Sequence, residues 1–144
     1  WLTGELGEEI KEQSLVLETG PGLVLVTGCA HHGVVNIARR VKEDFGRPPH
    51  LVLGGFHLGH ARPEEVKKIV GELRSLGIVK AGPCHCTGDE AIRQFQQKWP
   101  DGFEQIGFSL CIVTKKFKPV RIDENPRTNA PNTAGSIFPA VLKL

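Results

Sequence analysis

Apolar residues follow two alternating rhythms along this chain. Short apolar runs bounded by turn residues predict strands at SLVLET (14–19), LVLVTG (23–28), HLVLGG (50–55), IVKAGP (78–83) and FSLCIVT (108–114). Between them the spacing changes to that of a helix. Val34, Ile37, Ala38, Val41 and Phe45 fall at i, i+3, i+4, i+7 and i+11, which predicts a helix from about Gly33 to Phe45. Val66, Ile69, Val70, Leu73 and Leu76 make the apolar face of a second helix, opened by Pro63 and closed at Gly77. A third carries Ala91, Ile92, Phe95 and Trp99, and Thr87 with Glu90 matches a capping box at its start.

Glycine and proline punctuate these elements. Gly20-Pro21-Gly22 predicts a turn that joins the first two strands as a hairpin. Gly46, with Pro48 and Pro49 beyond it, stops the first helix, and Pro100-Asp101-Gly102 stops the third. Residues 1–13 read as a loop leading in. Residues 116–144, with their prolines, asparagines and no clear period, read as an irregular tail. Strands that alternate with helices define an α/β fold with an at least partly parallel sheet.

One unit recurs three times: strand, short histidine-bearing loop, amphipathic helix. The loops are GCAHHG, GGFHLGH and PCHCTG, and they place His31, His57 and His85 at equivalent strand ends. In a parallel sheet such loops gather along one edge, where ligands bind. Convergent imidazoles with thiols nearby suit a borderline metal such as zinc. Taken singly, each histidine could equally be a polar loop residue; repetition is what favours a shared site. His50 and His60 read as ordinary surface residues, His32 as a residue facing solvent or supporting the site, and Cys111 as core packing.

Composition narrows the function classes. The 144 residues suit one domain, with 40% hydrophobic and 24% charged residues and a net charge of only +2. No basic stripe interleaves with aromatics, so nucleic-acid binding gets no electrostatic support. No apolar run is long enough to span a bilayer. Of the four cysteines, Cys29, Cys84 and Cys86 lie within two residues of a histidine, a pattern of reduced thiols near a metal. A cytoplasmic location is expected. The chain begins with Trp1 and lacks methionine, which predicts a fragment or a processed product.

"GCAHHGVVNI", "GGFHL" and "PCHCTG", in this order and spacing, resemble the carboxyl-terminal half of metallo-β-lactamase-fold hydrolases. The branch is that of metal-dependent hydrolases related to the ribofuranosyl-aminobenzene phosphate (dihydropterin) synthases of methanopterin metabolism. The resemblance covers roughly residues 10–115 and implies half of an αβ/βα sandwich, with a dinuclear metal site between two sheets in the complete fold. It implies two ions of zinc, or another transition metal such as manganese or iron. His85 matches the family's last metal-binding histidine. Cys29 stands where many relatives carry a bridging aspartate, and His31 and His57 match histidines of this branch. Which of Cys29 and His31 ligates directly stays open. The H-x-H-x-D-H loop of the family's amino-terminal half is absent from this chain.

The function so implied is a portion of a metal-dependent hydrolase, using a metal-activated water on a phosphoester-like or pterin-related substrate. No catalytic residue is assigned, and activity is not expected of the isolated chain. Thr87 and Gly88, at a helix start beside His85, are candidates to bind an anionic substrate group. Expected partners are a small anionic substrate and either self-association or a separate amino-terminal half. Two rivals come from other classes. One is a small metal-binding or redox module built on Cys84-His85-Cys86; the other is a non-catalytic interaction domain.

Overall fold

A computed structural model describes residues 1–8 and 10–106. Its elements are β1 (Leu15–Glu18), β2 (Leu23–Thr27), α1 (Val34–Phe45), β3 (Leu51–Gly55), α2 (Pro63–Ser75), β4 (Lys80–Cys84), a 3₁₀ turn (His85–Thr87) and α3 (Asp89–Lys98). They form one sheet in the order β1-β2-β3-β4. β1 and β2 are the expected hairpin, with Leu15 opposite Val26 and Glu18 opposite Leu23. At its turn Thr19 and Gly22 exchange backbone hydrogen bonds of 3.0 and 3.1 Å, and Gly22 takes φ 146°. β2, β3 and β4 are parallel, because a helix returns the chain between each pair. The expected strand at 108–114, Cys111 and the tail at 116–144 lie outside the described residues.

Alternation along the strands sorts the sheet into two apolar faces. Leu23 and Leu25 of β2, Val52 of β3 and Ala81 of β4 join the helical residues Val34, Ile37, Ala38, Val41, Val66, Leu73 and Phe95 in one core. Each large side chain buried there contributes about 1.5–3 kcal/mol. On the other face Val24, Leu51 and Leu53 form a smaller buried cluster with Leu17, Val26 and Ile106 packed against it. After α3 the chain returns beside β4, where Ala81 N–H donates to Gly102 at 2.7 Å and Glu104 N–H donates to Ala81 at 2.9 Å. No described helix is long and apolar enough to cross a membrane.

The capping box at Thr87 and Glu90 does not form. α3 starts one residue later than the motif requires, with Gly88 as its N-cap and no side-chain cap. Thr87 is fully buried, and its hydroxyl is engaged elsewhere. It donates to the Cys84 carbonyl at 2.6 Å and accepts from the Phe56 N–H at 3.0 Å. A carbonyl at the end of β4 and a buried N–H just past β3 outcompeted the helix end for that oxygen. Glu90 pairs instead with Arg93 at 2.6 Å and with Gln94 at 3.2 Å.

Candidate metal centre

The site begins with two glycines at the end of β3. A Cβ on Gly54 would lie 2.2 Å from the Thr27 carbonyl oxygen, and Gly54 takes φ 125°. A Cβ on Gly55 would lie 2.5 Å from the Gly28 oxygen and 2.6 Å from Cys86 Sγ. The Gly-Gly step therefore lets the ends of β2 and β3 close and makes room for a thiol arriving from β4. Thr27 secures the closure, with its hydroxyl 3.0 Å from the Gly55 oxygen and 3.2 Å from that of Leu53. Gly55 N–H donates to Gly28 at 2.9 Å.

Three loops leave the carboxyl ends of β2, β3 and β4, and each meets the other two. From the first and third, the ligand atoms of Cys29, His85 and Cys86 lie within 4.8 Å of one another. From the first and second, the rings of His31 and His57 stand 4.5 Å apart between centroids, tilted by 52°. The second and third line an open depression of about 420 Å³ with His57, Gly59, His60, Ala61, Glu65 and Cys86. Cys29 and Cys86 are half-buried, and His85, His31 and His57 are exposed.

Cys86 Sγ donates to the Cys29 carbonyl at 3.6 Å. The hydrogen bond between the two thiols raises the Cys29 pKa above the ordinary thiol range. Burial and the negative charges of Cys86 and Glu12 add to it. Burial, with Cys86 nearby, likewise raises Cys84. These thiols are protonated in the metal-free protein at neutral pH, and a cation would have to displace the protons.

Donors bonded at about 2.3 Å (sulfur) and 2.0–2.1 Å (nitrogen) around one tetrahedral ion stand roughly 3.5–3.8 Å apart. The Cys29–His85–Cys86 group, with donors within 4.8 Å, needs to contract by roughly 1.0–1.3 Å at most to hold such an ion. Its donor set, two thiols and an imidazole, is soft and fits zinc or iron better than a hard cation.

Of the residues singled out in the sequence, His85 and Cys29 meet in this group, and His31 and His57 meet beside it. Thr87 lies inward in this structure, its side chain without exposed surface and its hydroxyl engaged by both Cys84 and Phe56. Gly88 has a structural duty, since a Cβ there would lie 2.9 Å from the Gly59 Cα and its φ is 79°. Three residues escaped the sequence reading. The sequence presents Cys86 only within a local Cys-His-Cys segment; its partner is Cys29, across the sheet edge, and Cys84 stays out of the group. His60, an ordinary surface residue by sequence, lines the depression. Glu12, in the leading loop, accepts from the His32 N–H and lies against His31 Nδ1, both at 3.1 Å. The hairpin held the signal for it. Continued past Leu15, the register that pairs it with Val26 would bring residue 12 toward residue 29.

A sheet whose carboxyl edge gathers thiols and imidazoles has a solved counterpart described as a metal-dependent hydrolase of the β-lactamase superfamily. The TM-score is 0.67 at 37% identity, over 73% of this chain and 41% of that one. Fold and sequence likeness together support a relation to the metallo-β-lactamase superfamily over the part of those proteins that the chain matches. The chain is similar to a 7,8-dihydropterin-6-methyl-4-(β-D-ribofuranosyl)-aminobenzene-5′-phosphate synthase of Methanocaldococcus jannaschii, 33% identical over 96 residues, or 66% of this chain and 33% of that protein. An uncharacterized protein of the same organism is 30% identical over 93 residues, or 62% of this chain and 33% of its own length. The chain thus spans about a third of the length of these curated relatives. No family model matches it.

Proposed function

We propose that this chain contributes the carboxyl-edge ligands of a metal centre in a hydrolase of the metallo-β-lactamase superfamily. The observation that carries this reading is the Cys29–His85–Cys86 group, whose ligand atoms converge within 4.8 Å from two strand ends. The fold relative described as metal-dependent supports it. His31 and His57 lie one loop away and offer donors for a second ion, as the superfamily resemblance implies.

A bound divalent ion in such a centre supplies Lewis acidity and lowers the pKa of water to about 7. The chain's own residues hold and frame it. Cys29 and Cys86 would hold such an ion through sulfur, and His85 through a ring nitrogen. Gly54 and Gly55 keep β2 and β3 close enough for loops from separate strands to share one ion. The depression beside Cys86, walled by His57 and His60, is the place for a substrate. Its two imidazoles suit an anionic group such as a phosphoester, the class suggested by the phosphate in the synthase relative's name. The remaining ligands and the reaction itself belong to a segment of the kind that fills the rest of the relatives' length, within the same protein or on a partner chain.

Metal analysis tests the reading. After loading with zinc and dialysis against a weak chelator, the chain should retain zinc, and Cys29→Ala, Cys86→Ala and His85→Ala should each lose most of it. Equal retention by all four proteins would show these residues to be packing groups.

A further inference from the structure

Glu12 is held more firmly than a loop carboxylate needs to be. Its backbone exchanges two hydrogen bonds with Leu6, of 2.9 and 3.1 Å, and Leu6 is itself buried in the core. Two residues on, Ser14 N–H donates to Thr3 Oγ1 at 3.0 Å. The Glu12 side chain is only 15% exposed, and each carboxylate oxygen has its own partner. Oε1 accepts from the His32 backbone N–H, and Oε2 lies 3.1 Å from His31 Nδ1.

We propose that Glu12 is a positioning residue that locks His31 as its Nδ1–H tautomer, leaving Nε2 as the ring's one electron-pair donor. An ionised carboxylate only accepts hydrogen bonds, so a neutral ring beside it must carry its proton on Nδ1. The bond to the His32 N–H fixes the carboxylate from the other side, so the pair cannot rotate independently. The ring packed on His57 is thereby held with a bare nitrogen available to a cation, as carboxylate–histidine pairs do around metals. The inference about metal rests on the reading above; the tautomer does not.

Glu12→Gln gives the sharp test, because it keeps the shape and changes the logic. The His32 N–H can only donate, so the amide oxygen must face it. The amide NH₂ then faces His31, whose Nδ1 has to become an acceptor, moving the proton to Nε2. Long-range ¹H–¹⁵N spectra of the metal-free, full chain at pH 8 read this directly. The unsubstituted protein should show His31 as Nδ1–H, and Glu12→Gln should show it as Nε2–H with the backbone amide spectrum otherwise retained. An Nε2–H tautomer before substitution, or the same tautomer in both proteins, overturns the proposal. Affinity for a second zinc ion, measured by competition with a chelator once the first equivalent is bound, should fall about 10–100-fold in Glu12→Gln. A tautomer that switches while zinc affinity holds would support the role of Glu12 and remove His31 from the metal reading.

Discussion

At the amino-end edge of the sheet the chain turns on glycine. Gly22 before β2, Gly46 after α1 and Gly77 after α2 all take positive φ. At the carboxyl-end edge glycine also serves, at Gly33, Gly54 and Gly88, but every strand exit there carries a non-glycine residue in the same region. These are Ala30 at 55°, His57 at 52° and His85 at 50°, the non-glycine positive-φ residues among the described residues. A left-handed residue with a Cβ costs roughly 1–2 kcal/mol. One edge has taken the relaxed solution and the other has kept side chains at a cost. Strain of this kind persists where the side chain is wanted for chemistry, and two of the three residues are candidate metal-site imidazoles.

The largest test of this contrast compares glycines from the two edges. In Gly54→Ala the new methyl would meet the Thr27 backbone oxygen at 2.2 Å and its hydroxyl at 2.6 Å. Neither neighbour can retreat without breaking the β2–β3 pairing. The expected loss in urea unfolding is about 3 kcal/mol or more. Gly46→Ala meets nothing within 4 Å and pays only for its left-handed backbone, about 1 kcal/mol. Similar costs for both would mean the carboxyl edge is no more tightly built than the other.

Thr87→Val tests the same edge from inside. It keeps the volume and leaves the buried Phe56 N–H with no partner. The expected loss is about 2 kcal/mol, with the denaturant slope unchanged. A loss near zero would mean that water or a local shift replaces the hydroxyl.

The elements were legible because each rests on a local rhythm. β2, α1, β3 and α2 appear within two residues of their sequence-predicted bounds, since alternating apolar positions and glycine stops act over a few residues. The Thr87 cap failed for the opposite reason. Its hydroxyl answers to Phe56, 31 positions away, and no local motif records that demand. The site divides likewise. His31, His57 and His85 were visible because they repeat at strand ends. Cys86 and Glu12 were not, because their partners are set by sheet register: Cys86 meets Cys29 across the parallel strands, and Glu12 meets His31 through the antiparallel hairpin.

Protons should separate the two edges further. The raised Cys29 pKa means the folded metal-free chain keeps a proton that the unfolded chain releases. Its stabilising contribution is full below the ordinary thiol pKa of about 8.5. It is lost as pH rises through the higher folded value. Metal uptake runs the other way, since each thiol must lose its proton to bind. Zinc affinity should climb by about tenfold per pH unit for each such thiol below its pKa. Cys29→Ser should lower the slope of log affinity against pH, measured between pH 6 and 8, by about one. An unchanged slope would take Cys29 out of the ligand set.

The smallest effect is the most direct reading of the strain. His57 and His60 sit on the same loop, both exposed, but only His57 has positive φ. Glycine at position 60 should cost about 0.5–1 kcal/mol, the entropy of a freer unfolded chain. Glycine at position 57 carries that same cost and regains roughly 1–2 kcal/mol of left-handed strain. Metal-free His57→Gly should therefore be as stable as the parent chain or up to about 1.5 kcal/mol more stable, while His60→Gly is less stable. Paired urea midpoints in a chelator measure the difference without any metal. If both variants lose stability equally, the histidine backbone at the carboxyl edge is unstrained, and the contrast between the two edges rests on sequence alone.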